Sequence, residues 1–135
     1  MKISRQKLGI NLLRFGLSAV FLWFGFSQLF DSLNWVAIVP DWAVNLVHLP
    51  PAMIVLANGI FEVILGSLLA MGFYVRIIAF ILALHLVVIT FDLGFVATGV
   101  RDFGLVIASF ALALIYNPQN KENHSSDNIG DRNSQ

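Results

Sequence analysis

A chain of 135 residues with zero formal net charge exerts no bulk electrostatic pull on nucleic acid or on an acidic partner. Apolar residues make up 58% of it and charged residues 12%, against about 45–50% and about 25% in a soluble domain, and mean hydropathy is +0.80, so water is the wrong solvent for most of the chain. The absence of cysteine excludes disulfides, thiol redox chemistry, iron–sulfur clusters and covalently attached c-type haem.

The chain opens on a basic stretch, residues 1–7, with Lys2, Arg5 and Lys7. An almost unbroken apolar run over 8–30 follows, long enough for one crossing, since about 20 residues at 1.5 Å each span a hydrocarbon core of ~30 Å. A cleaved signal peptide is the competing reading, but the run exceeds a typical signal core of about 7–15 residues and no small-x-small cleavage site follows it. Residues 31–51 are interrupted by Asp31, Asn34, Pro40, Asp41, Asn45, His48, Pro50 and Pro51, with Trp35 and Trp42 among them. Tryptophan favours the membrane–water boundary, so this segment reads as an interfacial loop with a short amphipathic helix from Trp42 to Val47. A second span covers 52–73 and a third 76–95, separated by a tight turn at Tyr74 and Arg76. Phe103 to Tyr116 alone falls short of the roughly 17 residues a crossing needs, so a fourth span starts near Ala97, takes in Arg101 and Asp102, and runs over 97–117 until Asn117-Pro118 stops it. Residues 118–135 are polar and free of aromatics, the composition of a disordered tail. Asn123-His124-Ser125 within it fits a glycosylation sequon, which the expected topology opposes.

The fold class that follows is all-α, an integral membrane four-helix bundle. With the N-terminus cytoplasmic, the inside carries Lys2, Arg5, Lys7, Arg76, Lys121 and Arg132, and the outside only Arg101. The expectation is therefore a multi-pass protein of the cytoplasmic (plasma) membrane, the inner membrane of a cell with two, with both termini cytoplasmic.

Ionisable groups at membrane depth cost roughly 2.5–3.5 kcal/mol each on insertion scales, so they persist where they face protein or water. Asn58, Glu62 and Gly66 lie at i, i+4 and i+8 on one face of the second helix. Arg14, Ser18, Gly25 and Gln28 share a stripe of the first, within about 40° of a common direction. Both stripes should face the bundle interior, which predicts an Arg14–Glu62 ion pair, either a packing device or part of a site. His85 sits mid-span in the third helix with Asp92 one heptad further on the same face, a set able to relay protons or hold a ligand. Arg101 either reaches toward Glu62 or Asp92 or simply pairs with Asp102 at the water boundary. Arg14, Asn58, Glu62, His85, Asp92 and Arg101 are thus the candidate buried polar site. Three histidines without a His-x-x-x-His pair, and no cysteine, argue against a metal or an axially ligated haem.

These residues resemble the DoxX family of small bacterial and archaeal membrane proteins. Leu13-Arg14-Phe15 with Gly25-Phe26-Ser27-Gln28-Leu29 is similar to the family's opening helix. Phe61-Glu62-Val63-Ile64-Leu65-Gly66 through Met71-Gly72-Phe73-Tyr74-Val75-Arg76 is similar to its Glu-x-x-x-Gly helix, and Arg101-Asp102-Phe103-Gly104-Leu105 to the entry into its last helix. Gln28 stands where the family often has a lysine. The resemblance extends over residues 8 to 117. It implies a four-helix membrane bundle and a link to quinone-coupled sulfur oxidation, with some relatives associated with oxidative-stress complexes. An accessory subunit with a quinone or lipid pocket around Glu62 and a redox partner protein is the leading expectation. A self-sufficient quinone-linked enzyme needs an electron carrier that the sequence does not supply. A small transporter or channel would need a homo-oligomer, and a purely structural scaffold is the remaining alternative.

Overall fold

The computed structural model describes residues 4–94 and 97–116. The polar tail and its sequon lie outside the described residues, as do the first three residues.

Helix α1 (Arg5–Phe30) begins where Ser4 Oγ accepts the Lys7 N–H at 3.3 Å, satisfying one of the helix's orphan donors. It ends at Asp31, whose N–H bonds back to the Ser27 carbonyl. The connecting segment is more helical than its polar interruptions suggest. It holds α2 (Ser32–Trp35), one 3-10 turn (Val36–Ile38) and α3 (Asp41–Val47). Pro40, held in extended backbone, separates the 3-10 turn from α3, and α3 stops at His48 in the left-handed region (φ 57°). Pro51, whose missing N–H costs nothing at a helix start, opens α4 (Pro51–Met71). Gly72 (φ 81°) ends α4, and the Phe73 N–H closes back on the Leu68 carbonyl at 3.1 Å. Tyr74 then leads into α5 (Val75–Leu93), and α6 (Ala97–Ile115) completes the set.

The helices α1, α4, α5 and α6 are each long and apolar enough to cross a membrane. Only 28–33% of each span is buried inside the bundle. The remainder includes Trp23, Phe30, Phe91 and Leu114, each at least 74% exposed, which hydrocarbon tolerates and water does not. The protein is therefore a multi-pass membrane protein in contact with lipid on its outer faces.

The closest packing is between α1 and α4 and between α5 and α6. Lipid tails remove most of the hydrophobic drive for helix association, so close backbone approach and van der Waals fit must hold the pairs together. Gly25 and Gly59 supply that approach. A Cβ at Gly25 would sit 2.9 Å from the Gly59 carbonyl oxygen, and one at Gly59 would sit 2.9 Å from that of Gly25. About two turns further along α4, Gly66 accommodates Phe21 and Leu22. The core of Phe21, Leu69, Leu82 and Leu112, none more than 1% exposed, joins the two pairs.

Candidate functional site

The glycine contacts set the register of the antiparallel α1–α4 pair, and the register decides which polar residues meet. With Gly25 against Gly59, the buried Gln28 falls opposite Asn58 and Glu62. Gln28 Nε2 donates to Glu62 Oε2 at 3.1 Å, and Asn58 Nδ2 donates to Gln28 Oε1 at 2.7 Å and to Glu62 Oε1 at 3.2 Å. Both carboxylate oxygens of Glu62, a side chain 4% exposed, therefore accept from neutral amides. From α5, His85 places Nε2 3.5 Å from Glu62 Oε1, and that nitrogen is buried without a hydrogen-bond partner. Its ring packs 4.9 Å from that of Phe61.

The expected Arg14–Glu62 ion pair does not form. The same register that brings Gln28 to Glu62 carries Arg14 to Gly72, where its Nη1 lies 2.8 Å from the position a Cβ would take. Gly72 is ten residues past Glu62, roughly 15 Å along the helix axis. Both stripes do face inward, since Ser18, Gly25, Gln28, Glu62 and Gly66 are all buried. A facing stripe, however, says nothing about axial offset, and the long connection between α1 and α4 leaves that offset to packing. Arg14 instead lies over its neighbour Phe15, 4.6 Å from the ring centroid.

A cavity of about 250 Å³ opens above Glu62 between the α1–α4 and α5–α6 pairs. Asn58, Glu62, His85, Asp92 and Arg101 all line it, so five of the six candidate residues share one space and Arg14 stands apart. Its wall is mostly apolar, with Phe21, Phe24 and Leu86 among the side chains around the polar floor. Arg101 does not reach Glu62 or Asp92. Its Nε and Nη2 donate to Asp102 Oδ1 at 3.0 and 2.8 Å, and its guanidinium lies 4.6 Å over the Phe24 ring. Asp92 accepts from Trp42 Nε1 at 3.1 Å, tying α3 across the mouth. Trp35 folds back on α1, its Nε1 donating to Ser27 Oγ at 3.1 Å and its ring edge-on to Phe24.

Gln28, Trp35, Trp42 and Asp102 line the cavity beside the candidates. Gln28 carried a signal, because it lies on the inward stripe of α1. The two tryptophans gave only an interfacial signal, and their return over the cavity depends on the fold of the 31–51 connection.

This is a membrane helix bundle with a small, mostly apolar cavity floored by a hydrogen-bonded carboxylate. The chain belongs to the DoxX family, whose family model matches residues 9–99. The match includes Gln28, Asn58, Glu62, His85 and Asp92 and ends before Arg101. No curated protein and no solved structure matches the chain.

Proposed function

We propose that this DoxX protein is an accessory subunit of a quinone-linked membrane redox system, and that the cluster around Glu62 receives the head ring of a quinone. The observation that carries the reading is the buried Nε2 of His85, 3.5 Å from Glu62 Oε1 and without a hydrogen-bond partner, on a residue that lines a mostly apolar cavity. In the tautomer that carries a proton on Nε2, His85 has a donor to offer a ligand carbonyl. Ligand pockets run from about 300 Å³ upward, so a space of about 250 Å³ suits a ring and not a whole long-chain molecule, whose tail would leave between the helices into lipid. A quinone would supply two-electron, two-proton chemistry there. Glu62 can take up or release a proton, the Gln28 and Asn58 amides hold its carboxylate in place, and the apolar wall limits access of water. The partner protein would supply the electron carrier, and it would dock at the end of the bundle where the cavity opens.

The protein is further proposed to lie in the plasma membrane with both termini cytoplasmic, because the start of α1 carries Arg5, Lys7 and Arg14 and the start of α5, just past Gly72, carries Arg76. The cavity mouth then faces the extracytoplasmic side.

The test is mass spectrometry of small molecules that co-purify in mild detergent, wild type beside Glu62→Gln. The expected outcome is a quinone retained by the wild type and reduced at least tenfold in the variant. Bulk lipid alone in both would make Glu62 a packing residue and leave a structural scaffold as the function.

A further inference from the structure

The end of the bundle opposite the Glu62 cavity has its own groove. It runs between the start of α5 and the end of α6, measures about 860 Å³, and is lined by Tyr74, Arg76, Ile77, Phe80, Phe110 and Tyr116 among others. Phe80 and Phe110 meet edge to face with centroids 5.7 Å apart. Ile77, Phe80 and Leu114 along it are exposed on the bundle's outer surface, where apolar side chains of a membrane helix meet lipid.

The charge around it is one-sided. Arg5, Lys7, Arg14 and Arg76 all belong to this end, while the acidic side chains of the described residues are Asp31, Asp41, Glu62, Asp92 and Asp102, all in the middle or at the other end. The Arg101–Asp102 ion pair and the 3.5 Å approach of His85 to Glu62 lie away from this end too. Arg76 is exposed at the groove with no carboxylate within 4.0 Å among the described residues, and Arg14 Nε is buried without a hydrogen-bond partner beside Gly72, itself a groove residue. Tyr74 adopts φ 43°, a conformation that bulky side chains rarely take, at the mouth of this groove.

We propose that this groove binds one anionic phospholipid, its phosphate at Arg76 and an acyl chain along Phe80 and Phe110. The inference does not use the Glu62 site and stands independently of the quinone reading. Basic recesses between membrane helices beside an anionic leaflet take such headgroups, and one cation near the surface contributes about a fivefold preference for an anionic lipid.

The test is native mass spectrometry of the full-length protein titrated with phosphatidylglycerol and phosphatidylcholine of identical chains. One phosphatidylglycerol should be retained in preference to phosphatidylcholine, and Arg76→Gln, a change at an exposed position, should cut that preference about fivefold. Arg5→Gln, which removes an exposed charge of the same end outside the groove, should cut it less than twofold. Equal losses in the two variants would reduce the effect to general surface charge and overturn the proposal. So would equal retention of both lipids, a lipid-free dimer with the groove covered by a second copy, or displacement of the lipid by millimolar inorganic phosphate, which would mark a simple anion site.

Discussion

Gln28 is the residue on which the polar cluster turns. It bonds to both Glu62 and Asn58. A neutral amide donates to the carboxyl group without placing a cation beside it, as a lysine there would. Replacing Gln28 with leucine keeps approximate size and removes the donor to Glu62 Oε2. The desolvated oxygen should then cost about 1–3 kcal/mol. The checkable outcome is a lower midpoint of thermal unfolding in detergent for Gln28→Leu, with Gln28→Glu lower still because it sets two carboxyl groups side by side. A midpoint unchanged in Gln28→Leu would mean that water already reaches Glu62.

Among the elements, α3 is the least secured. It has seven residues, too few to be stable in isolation, and no residue of it is buried. Its side-chain anchor to the bundle is the Trp42–Asp92 hydrogen bond across the cavity mouth. Trp42→Phe keeps an aromatic ring and deletes the donor, removing a bond worth about 1 kcal/mol, or roughly fivefold in an opening equilibrium. Amide hydrogen exchange over Asp41–Val47 should speed up by that factor in Trp42→Phe while exchange in α1 stays unchanged. Equal exchange in both proteins would show that Pro40 and Pro50-Pro51, and not the tryptophan, hold α3 in place.

At the scale of the whole molecule, two tightly packed helix pairs meet along a looser seam, and the cavity lies in that seam. A ligand held there touches both pairs, so its binding can bias their relative position. The same arrangement separates charge among the described residues, with Arg5, Lys7, Arg14 and Arg76 at the Gly72 end and the carboxylates, with Arg101 paired to Asp102, at the middle and the other end. Absence of native cysteine makes the proposed orientation directly testable with single-cysteine variants at exposed positions. Asn45→Cys in α3 should react with a membrane-impermeant maleimide in intact cells, and Phe73→Cys in the α4–α5 turn only after permeabilisation. The reverse pattern would invert the topology and move the cavity mouth to the cytoplasmic side.

The sequence by itself determined that this is a membrane helix bundle, because four apolar segments of sufficient length leave the backbone no other way to satisfy its hydrogen bonds in lipid. Periodicity also determined which faces turn inward, since Ser18, Gln28, Glu62 and Gly66 recur at helical spacing and are all buried. Family membership was legible in local motifs such as Glu62 to Gly66. What only the tertiary structure decided is axial register. Helical spacing fixes angle but not offset, and the offset follows from where Gly25 and Gly59 let two backbones meet. That contact gave Glu62 and its helix neighbour Asn58 to Gln28 and sent Arg14 to the opposite end. The return of Trp35 and Trp42 over that cavity was equally beyond the sequence, because it rests on contacts across 8 and 50 residues of chain that no local pattern encodes.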